Sequence, residues 1–203
     1  MTASPAPKCL IIDPFLGDDL HDALLAFALG EQDAFKPTTI RRGKDGVEDQ
    51  AVRQSLRRQG GLGPFEGPFT AAVHARLPEL CRALGVSPFE IAKTELELAA
   101  HGDGGFYKVH LDTFTQDARL AADTDRAISA VYYFHRQPKG FVGGDLQMHR
   151  FGGGLAERIE PADNRLAAFA SIAPHEVLPI KCPSGRFEDY RFAVNCWLHR
   201  SRD

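Results

Sequence analysis

The spacing of apolar residues changes character along this chain. Residues 18–29 place their apolar side chains on one helical stripe, and Gly30 follows as a helix stop. Residues 70–84 repeat that pattern before Gly85, with Pro78 expected to kink or divide the helix. The first part of the chain is therefore predicted to supply helices that pack on a sheet.

Strand-like patterns frame these helices. An apolar run at residues 9–16 predicts an N-terminal strand that Pro14 ends. Alternation of polar and apolar positions begins at Glu95–Leu98, and strands dominate from there. The further predicted strands are 106–112, 127–134, 145–151, 165–172, 175–180 and 190–199. This order predicts an α+β, mainly β fold, an antiparallel sandwich or barrel with the N-terminal helices on one sheet.

Residues 36–68 form a polar, glycine-rich connection. Asp45-Gly46 is typical of a hairpin turn, and residues 48–58 are expected to form a short helix or an irregular lid. Such a segment either carries substrate contacts, with Arg53 the candidate, or is only an exposed connection. We expect one domain over residues 1–203, in which 1–90 give helical support and the lid and 91–203 form the catalytic core.

Composition excludes several classes of partner. The 203 residues carry a formal net charge of −3 with no basic, aromatic-rich segment, so we expect no nucleic-acid partner. The sequence shows neither a signal peptide nor an 18-residue apolar stretch, which predicts a cytoplasmic protein without a membrane partner. The four cysteines are widely spaced and are expected to be reduced thiols, with Cys196 in the core. The oligomeric state stays open.

A candidate metal site begins at His110 and Asp112. Side chains two apart on a strand share a face, and an imidazole beside a carboxylate supplies two ligands of a facial site typical of non-haem iron. The same spacing occurs at His101-Gly102-Asp103, which we interpret as a turn-forming loop. The sequence alone leaves four candidates for the third ligand, namely His135, His149, His175 and His199.

A second candidate group lies on the last predicted strand. Arg191, Asn195 and Trp197 share one face of it, and apolar residues occupy the other. Arg191 therefore points either to solvent or into a polar cavity, where a carboxylate would suit its guanidinium.

Together these motifs resemble the iron(II)- and 2-oxoglutarate-dependent dioxygenases, specifically their prolyl 4-hydroxylase-like branch. The likeness is good from about residue 91 to residue 200 and loose before that. It rests on motifs in a fixed order: His110-x-Asp112, the segments Arg126–Phe134 and Gly143-Gly144-Asp145-Leu146, His175 within His-Glu-Val-x-Pro, and Arg191 six residues before Trp197.

The resemblance implies a double-stranded β-helix, a cupin-like jelly roll, in which His110, Asp112 and His175 bind Fe(II). It also implies 2-oxoglutarate as cosubstrate, O2 as oxidant and ascorbate as reductant. Related halogenating enzymes replace the carboxylate ligand with a small residue, so Asp112 favours hydroxylation.

The resemblance also assigns the cosubstrate pocket. Arg191 would pair with the distal carboxylate of 2-oxoglutarate, and Tyr133 would hydrogen-bond the same group. Leu146 would line the pocket, with Tyr107 towards its substrate end. The segment between His175 and the arginine is longer than in hypoxia-type enzymes, which makes Arg186 a rival; we prefer Arg191 because a strand position is more rigid.

The predicted activity is hydroxylation of an unactivated C–H bond, with succinate and CO2 as coproducts. A prolyl residue of a peptide or protein is the expected substrate, and a free amino acid or small metabolite is the alternative, since fold does not fix the substrate. A non-oxidative cupin-type metalloenzyme and a binding module are further alternatives; the former would not need Arg191.

Overall fold

Two facing β-sheets and three α-helices make up the described part of the chain. This computed structural model describes residues 4–38, 40–42, 45–47, 51–113 and 122–202. The helices are Asp18–Gly30 (α1), Glu66–His74 (α2) and Leu77–Leu84 (α3). The strands are Cys9–Ile12 (β1), Phe35–Pro37 (β2), Ile40–Arg42 (β3), Asp45–Val47 (β4), Arg53–Gln54 (β5), Leu56–Arg58 (β6), Ile91–His101 (β7), Phe106–His110 (β8), Thr124–Phe134 (β9), Val142–Gly143 (β10), Leu146–His149 (β11), Leu155–Ile159 (β12), Arg165–Ala170 (β13), His175–Val177 (β14), Ile180–Lys181 (β15) and Arg191–Ser201 (β16).

The larger sheet has seven strands in the order β1-β13-β9-β16-β7-β6-β2. The smaller sheet has five, in the order β12-β11-β14-β8-β5, and its pairs are antiparallel. Strands β3 with β4 and β10 with β15 form two further short pairs. This arrangement is the mainly β, double-stranded β-helix that was expected.

The larger sheet has an apolar face and a face that lines a pocket. Tyr132 and Phe134 of β9 point to the helices, where they pack with Leu24 of α1 and Phe69 of α2. Tyr133, between them in sequence, points the opposite way, towards the smaller sheet. The alternation of side chains along a strand explains this division. The predicted packing of the N-terminal helices on one sheet is confirmed.

The helix predictions hold with one refinement. Helix α1 matches the stripe at 18–29. The second predicted helix is divided, because α2 ends at His74 and α3 begins at Leu77 with Pro78 in its first turn, where proline is tolerated. Gly85 then ends α3 in the left-handed conformation at φ 70°, as a helix-terminal glycine does.

Residues 36–68 differ most from expectation. The prediction of a helix or irregular lid over residues 48–58 is wrong for residues 53–58, which form β5 and β6, while residues 48–50 lie outside the described residues. The Asp45-Gly46 turn is also wrong, since both residues lie in β4 opposite Arg42 and Arg41. These short strands form because β5 pairs with β8 and β6 with β7, which local sequence does not reveal.

Several strands end earlier in the structure than the sequence predicted. Strand β8 ends at His110, so Asp112 lies beyond it, and β11 and β13 end before residues 151 and 172. The predicted strand 175–180 divides into β14 and β15, and β12 was not predicted. The four cysteines are free, and Cys196 is fully buried in the core, as expected. Within the described residues, none of the helices has both the length and the apolar character needed to cross a bilayer.

Candidate active site

Three side chains with metal-binding atoms meet between the two sheets. His110 ends β8 and His175 begins β14, and these residues are paired across the smaller sheet. Asp112 is held beside them because its backbone N–H donates to the carbonyl of Ser171 at 3.0 Å. Its two carboxylate oxygens lie 3.6 Å from His110 Nε2 and 3.6 Å from His175 Nε2. Each of the three residues thus offers one ligand atom, and these atoms all lie within 4.8 Å of one another.

Backbone carbonyls orient both imidazoles. The Nδ1 of His110 is 2.8 Å from the carbonyl of Lys108, and that of His175 is 2.9 Å from the carbonyl of Ala173. A carbonyl can only accept, so each Nδ1 carries the proton and donates it. Each Nε2 then faces the Asp112 carboxylate, the orientation that metal-binding histidines adopt.

The charges of this cluster suit a cation. Burial opposes ionisation of Asp112, but the adjacent imidazoles of His110 and His175 outweigh it and hold the pKa of the carboxyl well below its usual range. Burial lowers the pKa of His175 to about 4, against the opposing effect of Asp112. At neutral pH the cluster therefore holds one carboxylate and an unprotonated His175.

An aromatic side chain supports the more exposed histidine. Tyr107 of β8 stacks on the His110 ring with 3.6 Å between centroids and 18° between planes. The guanidinium carbon of Arg53 lies 5.0 Å from the centre of the Tyr107 ring. Arg53 is itself fixed by Glu97, at 2.5 Å, and by Ser55 Oγ, at 2.8 Å. The glycine-rich segment thus reaches the metal cluster through β5.

A buried cation lies at the other end of the same pocket. Arg191 is 1% exposed, and its Nη1 donates to the carbonyl of Gly144 at 2.8 Å. Its guanidinium carbon is 5.2 Å from the centre of the Tyr133 ring, and Leu146 lines the pocket beside them. Within the described residues, no hydrogen-bond partner reaches Tyr133 Oη or Arg191 Nε, although both atoms are buried.

Burial controls the ionisation of both polar groups. It lowers the pKa of Arg191 to about 10, which still leaves the guanidinium charged at neutral pH. It raises the pKa of Tyr133 to about 12, so the phenol keeps its proton. The pocket therefore presents a cation and an O–H donor, a pair that suits an anion.

The two candidate arginines occupy different environments. The Arg186 side chain is 56% exposed and pairs with Asp189 and Glu188. Arg191 is the arginine that lines the pocket of His110, Asp112 and His175.

The second His-x-Asp sequence was expected to form a loop, and residues 102–105 do form a turn, but His101 itself belongs to a strand. His101 is the last residue of β7, is 3% exposed and lies 3.0 Å from Arg191 Nη2 through its Nδ1. Asp103 accepts a hydrogen bond from the backbone of Cys182. Neither residue joins the metal cluster, and the pairing of β7 with β16 brings His101 opposite Arg191.

The remaining candidate histidines lie elsewhere. His135 packs on Phe141, and His149 bonds Glu176 at 2.9 Å. His199 lies 2.9 Å from Thr124 and does not line the pocket. Apolar spacing offered no signal that could exclude them; in the structure, the pairing of β8 with β14 brings His175 beside His110.

Two ion pairs at the mouth were not predicted as site features. Glu97 accepts from Arg53 and, at 3.1 Å, from Asn195. Glu95 pairs with Arg126, whose guanidinium lies 4.1 Å above the Trp197 ring. The alternation Glu95-Leu96-Glu97 was a strand signal, and it also places both carboxylates on the pocket face.

Comparison with known proteins agrees with this geometry. Residues 96–199 match the family model of the 2OG-Fe(II) oxygenase superfamily. The chain belongs to this superfamily, whose members use Fe(II), 2-oxoglutarate and O2.

Three individual proteins, all hydroxylases by name, are similar to this chain. An uncharacterised PKHD-type hydroxylase of Synechocystis sp. is 36% identical over 141 residues, which span 63% of this chain and 43% of that protein. A crystal structure of a Pseudomonas putida prolyl-4-hydroxylase is 26% identical, covers 97% of this chain and 94% of its own, and has a TM-score of 0.68. A prolyl hydroxylase from Trichoplax adhaerens, solved with a hypoxia-inducible-factor peptide, is 21% identical over 95% of this chain and 83% of its own, with a TM-score of 0.70.

Proposed function

We propose that this chain hydroxylates a prolyl residue of a peptide or protein, using Fe(II), 2-oxoglutarate and O2 and releasing succinate and CO2. The observation that carries the proposal is one pocket with a two-histidine, one-carboxylate cluster at one end and a buried arginine at the other. A cation site and an anion site joined in this way match a metal-chelating keto acid with a distal carboxylate.

The residues present fit Fe(II). His110, Asp112 and His175 supply two imidazole nitrogens and one carboxylate oxygen, the donor set of non-haem iron oxygenases. Both imidazoles have their Nδ1 engaged by carbonyls, so their free nitrogens are directed at the metal. We assign these three residues as the metal ligands.

The far end of the pocket fits a carboxylate. Arg191 is a buried cation whose acceptors, Gly144 and His101, are both neutral, and no carboxylate pairs with it in the described part of the chain. A buried charge of this kind is stabilised by an anion that brings its own hydrogen-bond acceptors. In the proposal Arg191 pairs with the distal carboxylate of 2-oxoglutarate, the Tyr133 hydroxyl donates to the same group, and Leu146 packs along the carbon chain.

Iron and 2-oxoglutarate, when bound, supply the oxidising chemistry, and one oxygen atom of O2 enters the substrate C–H bond. The protein's part is to bind and orient. His110, Asp112 and His175 would hold the metal at one end of the pocket, and Arg191 and Tyr133 would hold the cosubstrate at the other. We propose ascorbate as the reductant that keeps iron in its ferrous state.

The mouth of the pocket supports a peptide substrate. Tyr107 and Trp197 offer aromatic surface there, and the exposed apolar residues Leu111 and Ile172 adjoin Asp112 and Ser171. The Trichoplax enzyme was solved with a peptide, and the Pseudomonas enzyme is a prolyl-4-hydroxylase. A free amino acid or small metabolite is the second candidate, because the same mouth accepts a small polar molecule between its ion pairs.

The proposal treats residues 1–203 as one catalytic domain. Residues 91–203 form the core, and 1–90 support it and cover the pocket, which agrees with the contact of Arg53 with Glu97. The four free cysteines agree with a reducing compartment, and we propose a cytoplasmic location.

A succinate-release assay tests this function. Protein supplied with Fe(II), ascorbate and 2-oxoglutarate is expected to form succinate slowly alone and faster with proline-containing peptides, whose mass should rise by one oxygen. His110→Ala should abolish release, whereas His135→Ala, a buried histidine outside the cluster, should retain it. Free proline and other amino acids, assayed in parallel, distinguish the second candidate. Absence of succinate under every condition would refute the proposal.

A further inference from the structure

The sequence His101-Gly102-Asp103 has no place in the cluster of His110, Asp112 and His175, but His101 lines the same pocket as Arg191. His101 is almost fully buried, and its Nδ1 is the ring nitrogen nearer to Arg191 Nη2, at 3.0 Å against 3.5 Å for Nε2. A guanidinium can only donate, and Nη2 lies close to both ring nitrogens, so the imidazole is the acceptor in this contact and must be neutral.

We propose that His101 is a positioning residue for the cosubstrate: as a neutral acceptor, it holds the Arg191 guanidinium in the orientation that receives the distal carboxylate of 2-oxoglutarate. This inference rests on the proposed function.

Two neutral acceptors define the plane of the guanidinium. The carbonyl of Gly144 takes one N–H from Nη1, and His101 takes one from Nη2. Arginine has five N–H groups in a rigid plane, so fixing two of them aims the remaining donors. A carboxylate in place of either acceptor would satisfy the charge internally and compete with the ligand, whereas a neutral acceptor orients the cation and leaves its charge for an anion.

The surrounding charges agree with a neutral imidazole. Burial, and then the positive charges of Arg191 and Arg53, lower the pKa of His101 well below its ordinary value. The histidine therefore remains an acceptor at neutral pH.

The turn that carries His101 is held firmly. The carboxylate of Asp103 accepts from the Cys182 N–H at 2.8 Å, and the Gly104 N–H donates to Ile180 at 2.9 Å. Gly102 has no room for a side chain, because a Cβ there would lie 2.3 Å from the Tyr190 ring. A histidine fixed in this way can transmit a fixed geometry to Arg191.

Binding measurements test the positioning role of His101 independently of catalytic turnover. Calorimetric titration of the Mn(II)-loaded protein should compare 2-oxoglutarate with 2-oxopentanoate, which has the same five-carbon chain but a methyl group where the distal carboxylate would be. Replacing His101 with Leu removes the acceptor at similar volume, and His101→Asn places an amide oxygen near the position of Nδ1. His21→Leu is the matched control, a buried, hydrogen-bonded histidine on the opposite face of the larger sheet.

For H101L we expect the Kd for 2-oxoglutarate to rise about ten- to hundredfold, the effect of losing a hydrogen bond to a charged group. Its Kd for 2-oxopentanoate should stay close to that of the wild type, H101N should recover most of the affinity, and H21L should bind both ligands normally. If H101L does not fold, His101→Met carries the same comparison.

Two results would overturn the role of His101. One is an unchanged Kd for 2-oxoglutarate in H101L, and the other is an equal loss for both keto acids, which would mean general damage to the pocket. A wild-type protein that binds Mn(II) but not 2-oxoglutarate would instead refute the proposed function itself.

Discussion

Replacing Arg191 with Met separates binding of the cosubstrate from stability of the fold. Methionine fills much of the arginine volume without its charge, and the site is fully buried. We predict that Arg191→Met abolishes measurable 2-oxoglutarate binding while the ligand-free protein unfolds at nearly the wild-type temperature.

The magnitude follows from the burial of the guanidinium. Lowering the pKa of Arg191 to about 10 is equivalent to about 3 kcal/mol of free energy against the charged form. The variant regains this free energy but leaves the Gly144 carbonyl and the His101 ring without a donor, at about 1–3 kcal/mol each. These effects are of similar size and opposite sign, so the net change in stability should be small.

No comparable gain in free energy offsets the loss of ligand binding. Removing one partner of a buried ion pair costs about 3–5 kcal/mol, so the Kd for 2-oxoglutarate should rise roughly 10²- to 10⁴-fold. Calorimetry on the Mn(II)-loaded protein measures the Kd, and thermal unfolding without ligand measures stability. Arg186→Met is the control, because that exposed arginine pairs with Asp189 away from the pocket. Normal 2-oxoglutarate affinity in Arg191→Met, or a loss in Arg186→Met as large as in the Arg191 variant, would refute the reasoning.

Three further changes test other parts of the structure. Tyr107→Ala removes the ring stacked on His110 and should weaken Mn(II) binding several-fold by calorimetry, whereas Tyr107→Phe keeps the stack and the affinity. Gly144→Ala should lower the free energy of unfolding by about 1–3 kcal/mol in urea titrations, because φ is +76° and a Cβ would lie 2.7 Å from a neighbouring isoleucine; a neutral result would contradict the positive φ. The hydrogen bond to Asp163 raises the pKa of His21, so its stabilisation is present below the unfolded pKa of about 6.5 and is lost as pH rises through the folded pKa. His21→Asn should therefore lose more stability relative to the wild type at pH 5.5 than at pH 8.5, by up to about 1 kcal/mol, and the opposite trend would exclude this ion pair.

Local periodicity was enough for the long elements. Helix α1, the strand core of β9 and the two faces of β16 follow from apolar spacing, because each element buries one face along its whole length. The short strands β5, β6 and β12 were missed for the corresponding reason. Two to five residues carry too little pattern, and these segments become strands only where a neighbouring edge supplies hydrogen bonds.

The sequence by itself indicated two parts of the site, one because its residues are close in the chain and the other because it lies on a strand with a clear pattern. His110 and Asp112 are two residues apart, and the alternation along β16 put Arg191 on the polar face. The resemblance to a family then singled out His175 among four histidines.

Tertiary structure decided what depends on contacts between distant segments. The pairing of β8 with β14 brings His175 to Asp112, and the pairing of β7 with β16 places His101 against Arg191. In sequence His101-Gly102-Asp103 looked like a second metal motif in a loop, because spacing describes which side chains share a face and says nothing of what that face meets. Only the packed sheets show that His110 and Asp112 meet His175, whereas His101 lies against the buried guanidinium of Arg191.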